Sequence, residues 1–211
     1  MKEAVKIAGR EISVEELMRV LRRDQSYWGE DGGVTFTGGE PLLQEEFLIS
    51  ALKKCRDNYM HTAIETCACV PPETLLAVQK LTDFIFIDIK HMDTAKHKEG
   101  TGAGNEPILN NIAVAASAKR EGRIVIRVPI IPGFNDSEEN LEATAVFMKN
   151  NGLDEINILS FHRMGASKYE QMGQVYKCAE LEPPPAEAMA GLARIFELFG
   201  IKCHVDSQTP F

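Results

Sequence analysis

The feature that most limits the fold of this chain is a regular alternation of short apolar strand patterns with longer amphipathic patterns. Runs rich in β-branched and aromatic residues recur along the sequence, and most are followed by a stretch whose apolar residues have helical spacing. Strands separated by helices pair in parallel and are joined by right-handed crossovers. The alternation therefore predicts an α/β fold on a parallel sheet, either a β/α barrel or an open doubly wound sheet.

The predicted elements follow one another without a linker, so we expect a single domain over residues 1–211. Strands are predicted at 33–37, 61–66, 83–90, 123–131, 155–161 and 202–205. Helices are predicted at 13–23, 44–58, 72–80, 105–121, 137–150 and 185–199. The first helix is predicted to open on Ser13, because Glu16 three residues later completes the sequence signature of a capping box.

Composition and charge exclude several protein classes. The 211 residues are 44% hydrophobic and 26% charged, so the chain can bury a core and is not a disordered or low-complexity protein. The net charge of −8 argues against a nucleic-acid partner, because that binding depends on clustered Lys and Arg. No apolar run approaches the roughly 18 residues of a membrane helix, and the charged start lacks the apolar core of a signal peptide. We therefore expect a cytoplasmic protein with no membrane partner.

The five cysteines predict neither a disulfide framework nor a zinc site. Their number is odd and their spacing uneven, which favours reduced thiols. Cys67 and Cys69 form a C-x-C pair, whereas structural zinc sites use C-x2-4-C pairs with a second pair elsewhere. We expect these two to be structural thiols.

Polar side chains gather at the predicted carboxyl ends of five strands. They are Thr37 and Glu40, Glu65 and Thr66, Asp88 and Lys90, Arg127, and His162. Because side chains alternate along a strand, Asp88 and Lys90 point to the same face. A single Asp-Lys ion pair would explain one strand end, but reactive groups of a β/α barrel collect at the carboxyl ends of several strands. The pattern favours a barrel with a site at this end.

The segment Gly38-Gly39-Glu40-Pro41 follows the first predicted strand. Its glycines let the backbone approach a ligand closely and adopt conformations closed to other residues. Neither nucleotide-binding fingerprint, G-x-x-x-x-G-K-[ST] or G-x-G-x-x-G, is present in the sequence. A carboxylate beside free backbone carbonyls suits an ammonium group better than a phosphate.

Residues 33–44, which contain these glycines, are one of five sequence blocks that occur in a fixed order. The others are 61–66, 83–93, 126–136 and 157–169. Together they closely resemble the glycyl-radical-enzyme activating enzymes, a group within the radical S-adenosylmethionine (radical SAM) superfamily. The resemblance covers nearly the whole chain. It implies a partial β/α barrel of the radical SAM type that lacks the first βα unit.

The resemblance also implies a cofactor site. The residues that match the family's contacts to S-adenosylmethionine are Thr37, Gly38, Gly39, Glu40, Asp88, Lys90, Arg127 and His162. The glycines and Glu40 match the segment that holds the amino group of the cofactor. Glu65, Thr66 and Asp88 match positions that can hold a monovalent cation, although Glu65 replaces the shorter Asp usual there.

The reaction that the resemblance implies is a one-electron reductive cleavage of S-adenosylmethionine to a 5'-deoxyadenosyl radical. That radical removes a hydrogen atom from a backbone glycine of a partner, a glycyl radical enzyme such as pyruvate formate-lyase. The implied electron donor is a flavodoxin or a ferredoxin. In such a protein the cofactor carries the chemistry and the chain orients it.

The main departure of the chain from the family lies in its cysteines. The family binds a 4Fe-4S cluster through C-x3-C-x2-C, whereas the successive cysteines here are 12, 2, 109 and 25 positions apart. We therefore expect most of an activating enzyme without its cluster segment, with the cluster present only in a longer parent and this chain alone inactive. An exposed strand edge would then favour a non-native dimer or loss of order near residues 1–30.

Two other interpretations stay open. One is a natural relative without a cluster that binds S-adenosylmethionine or docks on a glycyl radical enzyme. The other is an unrelated β/α-barrel lyase that forms a Schiff base through Lys90.

Overall fold

A six-stranded, fully parallel sheet forms the centre of the protein in the computed structural model, which describes residues 9–29, 32–119 and 122–208. The strands are β1 (Val34–Phe36), β2 (Thr62–Thr66), β3 (Phe84–Asp88), β4 (Arg123–Ile130), β5 (Glu155–Ser160) and β6 (Lys202–Val205). The helices are α1 (Val14–Asp24), α2 (Glu45–Asp57), α3 (Pro72–Gln79), α4 (Thr94–Thr101), α5 (Glu106–Ser117), α6 (Glu138–Asn150), α7 (Ala166–Gln171) and α8 (Ala186–Leu198). Every strand and helix predicted from the sequence is present.

The order of the strands distinguishes the two arrangements that the sequence left open. The spatial order β1-β2-β3-β4-β5-β6 is the same as the order along the chain. An open doubly wound sheet instead reverses direction at a switch point. The predicted partial β/α barrel is therefore confirmed, and the carboxyl ends of all six strands lie at one end of the sheet.

The outer face of the sheet carries the main apolar core. Buried side chains of β3, β4 and β5 contribute Ile85, Ile87, Ile126, Ile156 and Ile158. The helices cover them with Leu52, Leu75, Ile112, Leu141 and Phe196. Burial of each such side chain contributes about 1.5–3 kcal/mol, so the outer face supplies the stability on which the polar inner face depends.

The inner face of the barrel holds a smaller apolar cluster and a partly buried ion cluster. Arg123 lies 4.6 Å above the ring of Phe84 and donates to both carboxylate oxygens of Glu155. His204 Nε2 lies 2.8 Å from Glu155 Oε1. Burial alone raises the pKa of Glu155, but hydrogen bonds from Arg123 and His204 outweigh burial and lower it. Side chains of β4, β5 and β6 are thereby joined inside the barrel.

The N-terminal helix α1 begins where the sequence predicts. Ser13 N donates to Glu16 Oε2 at 2.8 Å, and Glu16 N donates to Ser13 Oγ at 3.2 Å, so the capping box is formed. Met18 of α1 is buried in a cluster with Val34 and Cys55. Residues 1–8, where loss of order was also expected, lie outside the described residues.

Two short helices, α4 and α7, are absent from the sequence prediction. The sequence of α4, TAKHKEGT, has almost no apolar periodicity, so only its caps mark it: Asp93 accepts from Lys96 N, and Gly102 ends it at φ +89°. Helix α5 ends at Ser117, and the predicted end at 121 lies outside the described residues. Among the described residues, no helix is both long enough and apolar enough to cross a membrane.

The ion cluster around Glu155 gives a testable stability difference. Substitution Glu155→Gln is expected to lower the free energy of unfolding at pH 7 by about 2 kcal/mol, because Arg123 and His204 lose their charged acceptor. The pKa of Glu155 is lowered on folding, so its stabilisation is fully present above about pH 4.5 and is lost as the pH falls through the native value. Urea unfolding from pH 7 to pH 3 should show the difference shrinking below pH 4.5. An equal difference at every pH would contradict this account.

Candidate functional site

Four neighbouring strands bring their polar residues together at the carboxyl end of the barrel. Arg127 of β4 lies beside Asp88 of β3 in the strand register. Glu65 of β2 and Lys90, which follows β3, join them from either side. The candidate residues predicted at the ends of the first four strands therefore do meet.

Arg127 is the centre of this group. Its Nε donates to Asp88 Oδ1 at 2.6 Å, and its Nη1 lies 2.8 Å from Glu65 Oε1. Lys90 Nζ donates to the second oxygen of Asp88, also at 2.6 Å. Burial disfavours the charged form of Arg127, but Asp88 and Glu65 outweigh burial and raise its pKa. Two cations and two carboxylates thus balance each other, which is what allows these charges to be partly buried.

Glu65 also ties the end of β1 to this group. Thr37 Oγ1 donates to Glu65 Oε2 at 3.0 Å, while the other oxygen faces Arg127. The side chain of Glu65 on β2 therefore bridges the ends of β1 and β4, which are not adjacent in the sheet. A shorter Asp at this position would have one methylene less with which to span them.

The glycine segment after β1 is open to a ligand. Gly38 has φ +137°, a backbone conformation that L side chains rarely adopt. A Cβ at Gly38 or Gly39 would meet nothing within 4 Å. Among the described residues, no hydrogen bond engages the carbonyl oxygens of these two glycines. These carbonyls can accept hydrogen bonds from an ammonium group.

Glu40 makes contacts inside the protein that its position in the sequence does not show. Its Oε1 accepts from Leu42 N at 3.1 Å and from Thr66 Oγ1 at 2.7 Å, and its Oε2 accepts from Cys67 N at 2.8 Å. Both oxygens are therefore engaged within the protein. The carboxylate anchors the glycine segment to the end of β2, and the cofactor contact predicted for Glu40 stays a prediction.

The loop after β2 is held in a strained conformation. Ala68 is fully buried at φ +53°, its N–H donates to Thr66 Oγ1 at 2.8 Å, and its carbonyl accepts from Asn111 Nδ2 at 2.8 Å. Burial and the hydrogen bond with Glu40 raise the pKa of the Cys67 thiol to about 11. Cys67 is therefore protonated at neutral pH, which fits the structural role expected for it.

The monovalent-cation site predicted at Glu65, Thr66 and Asp88 stays a prediction. Glu65 and Thr66 are neighbours on β2 and point to opposite faces of the sheet. Arg127 contacts the carboxylates of Glu65 and Asp88, and Thr66 Oγ1 donates to Glu40. A cation at this place would have to share these carboxylates with Arg127.

His162 stands apart from the other candidate residues. It follows β5, is exposed, and makes no hydrogen bond or ion pair with any other residue that the structure describes. Its imidazole is therefore available to a ligand, but its own contacts do not hold it in place.

Two contributions to the site were missed by the sequence reasoning. Asn135 is fully buried, and its Nδ2 donates to Lys90 O at 2.9 Å and to Pro129 O at 2.8 Å, which fixes the backbone at Lys90. A cavity of about 260 Å³ opens beside Arg127 and Glu65; it is lined by Glu65, Phe86, Arg127, Asn157, Leu159, Asp206 and Ser207. The period-two alternation could have placed Asn157 on this inner face, but nothing in the sequence marks Asp206.

The cysteines of this chain do not fit a 4Fe-4S cluster. Cluster ligands are thiolates, but burial raises the pKa of Cys55 to about 11 and that of Cys203 to about 12. Within residues 9–29, 32–119 and 122–208, no group of three His, Cys, Asp or Glu side chains is placed to hold a metal. No chemical step through a cluster is therefore derived from these residues.

The anchoring role of Glu40 can be measured as stability. Substitution Glu40→Ala is expected to lower the free energy of unfolding by about 2 kcal/mol, because Leu42 N and Cys67 N lose a charged acceptor. Substitution Glu142→Ala removes an exposed carboxylate on α6 and serves as the matched control, with a change within about 0.5 kcal/mol. Equal effects of the two substitutions in urea unfolding would show that the Glu40 contacts contribute nothing.

Comparison with known proteins identifies the family. The sequence model of the Radical SAM superfamily matches residues 3–145. The 4-hydroxyphenylacetate decarboxylase activating enzyme of Clostridioides difficile strain CD196 is 49% identical over 208 residues, which are 99% of this chain and 66% of that protein. The indoleacetate decarboxylase activating enzyme of Tractidigestivibacter scatoligenes is 37% identical over 205 residues, 97% of this chain and 65% of that protein.

Solved structures agree with the sequence comparison. A domain of the pyruvate-formate lyase-activating enzyme from Bacteroides vulgatus ATCC 8482 superimposes with a TM-score of 0.69 and 32% identity, covering 83% of this chain and 99% of that chain. Streptococcus suis SuiB, at 15% identity and a TM-score of 0.71 over 97% of this chain and 44% of its own, supports the fold alone. This chain spans about two thirds of the length of the curated relatives, 66% for the C. difficile protein. The resemblance inferred from the five sequence blocks is confirmed: the chain belongs to the radical SAM superfamily and, within it, to the glycyl-radical-enzyme activating enzymes.

Proposed function

We propose that this chain is the S-adenosylmethionine-binding part of an enzyme that installs a glycyl radical in a partner enzyme. The observation that carries the proposal is the 49% identity to a 4-hydroxyphenylacetate decarboxylase activating enzyme over 99% of this chain. The site supports it, because acceptors and charged donors stand at the carboxyl ends of the strands where barrel enzymes bind their ligands.

The polar groups of the site match the two ends of an amino acid zwitterion. The open carbonyls of Gly38 and Gly39 suit the ammonium group of S-adenosylmethionine. Lys90 and Arg127 are cations that suit its carboxylate, and the free imidazole of His162 supplies one more polar contact. The residues present therefore fit this cofactor, with Thr37, Glu40 and Asp88 holding the donors and acceptors in place.

The chain's own contribution is orientation. S-adenosylmethionine supplies, in this family, the chemistry that removes a hydrogen atom from a backbone glycine of the partner. Arg127 is held from two sides by Asp88 and Glu65, so it cannot swing into the cavity when a ligand enters. Preorganised charges of this kind position a bound cofactor without having to rearrange. A monovalent cation shared by Glu65, Thr66 and Asp88 is a further part of the proposal.

The proposed partner class is based on how sequence identity differs among activating enzymes of different partners. Identity is 49% to the activating enzyme of 4-hydroxyphenylacetate decarboxylase, 37% to those of indoleacetate decarboxylase and (2S)-3-sulfopropanediol dehydratase, and 34% to that of choline trimethylamine-lyase. We infer that the partner is a glycyl radical decarboxylase of an arylacetate rather than pyruvate formate-lyase. A flavodoxin or ferredoxin is the proposed electron donor to the whole enzyme.

A lyase that forms a Schiff base through Lys90 is not favoured. Schiff-base lysines react as neutral amines in desolvated pockets or beside another cation. Lys90 Nζ instead forms an ion pair with a carboxylate oxygen of Asp88 at 2.6 Å, and the described residues of β3 include no second cation beside it.

Cofactor binding is testable by calorimetric titration. The chain is expected to bind S-adenosylmethionine, and Lys90→Met is expected to weaken binding about tenfold, because one charge-assisted contact is lost. The matched control is Lys53→Met, which removes an exposed lysine on α2 and should leave the affinity unchanged. Absence of binding by the unmodified chain would refute the cofactor site, and an unchanged affinity in Lys90→Met would remove Lys90 from it.

Partner binding and radical formation are expected to separate in this polypeptide. It should bind a 4-hydroxyphenylacetate decarboxylase more tightly than a pyruvate formate-lyase in the same titration. After anaerobic iron-sulfur reconstitution it should give no 4Fe-4S signal and no glycyl radical by electron paramagnetic resonance, because the sequence holds no C-x3-C-x2-C. Equal or absent binding to both partners would sink the partner assignment, and either paramagnetic signal would overturn the expected inactivity.

A further inference from the structure

His162 is a candidate cofactor contact whose position is set entirely by its backbone. Its imidazole is exposed and bonds to no other described residue. Its backbone is extended, with φ −142° and ψ 154°, in the connection between β5 and the short turn Arg163–Gly165. The direction of the imidazole therefore depends on what anchors the chain on either side.

The anchor on the C-terminal side is weak. Arg163 Nη1 donates to Ala179 O at 3.1 Å and its Nη2 donates to Glu182 Oε1 at 2.8 Å. The side chains of Arg163 and Glu182 are 44% and 76% exposed. Exposed ion pairs of this kind contribute little, so the firm anchor has to lie before His162.

The anchor on the N-terminal side is a two-point contact with Asp206. Ser160 is the last residue of β5 and lies two positions before His162. Its N–H donates to Asp206 Oδ1 at 2.7 Å and its hydroxyl donates to Asp206 Oδ2 at 3.1 Å. Both oxygens of one carboxylate thus hold one residue, which constrains its orientation more than a single bond does.

Asp206 is itself held in an unusual conformation. It follows β6 at φ +52°, in the left-handed region where Asp and Asn are tolerated better than most residues. Asn157, a buried residue of β5, donates from Nδ2 to Asp206 O at 3.0 Å. Backbone conformations of this kind persist where the surrounding structure imposes them, and they cluster at functional sites. Asp206 also lines the cavity that Arg127 and Glu65 border.

We propose that Asp206 is a positioning residue for His162. Its carboxylate fixes the end of β5, and thereby the start of the connection that carries His162. This contact lies beside the cavity that Arg127 and Glu65 border. This role rests on the proposed function in one point only, namely that the ligand contacted by His162 is S-adenosylmethionine. Asp206 directly follows β6, the last strand, and lies 44 positions after His162 in the sequence.

Two substitutions of Asp206 and one control separate the effect of its carboxylate from the effect of its backbone conformation. Asp206→Gly keeps the left-handed backbone accessible and removes the carboxylate. Asp206→Asn tolerates the same backbone and keeps an acceptor for Ser160 N. The matched control is Asp154→Gly, which changes an exposed aspartate at the other end of β5. The Asp154 side chain makes no hydrogen bond or ion pair with any described residue.

The direct readout is the ring signal of His162 in a carbon-proton spectrum of the ligand-free chain, which has five histidines. The His162 signal is assigned by its loss in His162→Gln. Asp206→Gly is expected to shift and broaden this signal, and Asp206→Asn to restore it. The signals of His61 and His97 should stay in place in every variant, as should all five signals in Asp154→Gly. Affinity for S-adenosylmethionine should fall about tenfold in Asp206→Gly and recover in Asp206→Asn.

An unchanged His162 signal in folded Asp206→Gly would overturn the proposal. If all five histidine signals of that variant collapse together, Ser160→Ala decides instead, because it removes only the hydroxyl contact at 3.1 Å. A shift of His162 in Ser160→Ala supports the proposal, and no shift refutes it. If the unmodified chain binds no S-adenosylmethionine, the proposed function fails, but the ligand-free spectra still decide the role of Asp206.

Discussion

The guanidinium of Arg127 is the group on which the arrangement of the site depends. It contacts Asp88 on the neighbouring strand and Glu65 one strand further away, and Glu65 in turn holds Thr37 at the end of β1. Partly buried charges are tolerated only when they are paired. Without Arg127, two carboxylates would face each other at the mouth of the barrel with Lys90 as the remaining cation near them. The contacts of Arg127 and Glu65 therefore connect the ends of β1 to β4 in one network of ion pairs and hydrogen bonds.

The loops around these ion pairs are fixed by polar side chains that form no hydrogen bond or ion pair with Arg127. Glu40 holds the glycine segment to the loop after β2, and Asn135 holds the backbone of Lys90. On the other side of the cavity, Asn157 and Asp206 hold the end of β5. Each of these side chains hydrogen-bonds to at least one residue of a different element. The polar groups of the site that have no partner among the described residues are consequently few: the glycine carbonyls, the outer donors of the cationic pair, and His162.

The parts of the fold that the sequence predicted well are those with strong apolar periodicity. All six strands and six of the eight helices follow from it, and β6 is predicted with the bounds that the structure shows. Helix α4 could not be found this way, because its eight residues include no large apolar side chain. The candidate site was predicted from alternation and from the common direction of parallel strands. Asp206 was not, because a single aspartate after a short strand carries no local signal.

The sequence by itself determined the parallel α/β architecture, the end of the sheet where the polar residues meet, and the family. Each of these depends on local periodicity or on ordered motifs, which a single chain displays directly. Only the tertiary structure decided which atoms remain available. Glu40 stands beside its glycines in the sequence, yet both of its oxygens also bond to groups that folding brings to it, one on the last residue of β2 and one in the loop after it, 26 and 27 positions away. Hydrogen-bond partners that are distant in sequence can be identified only once the strands are packed, because packing is what brings them within reach.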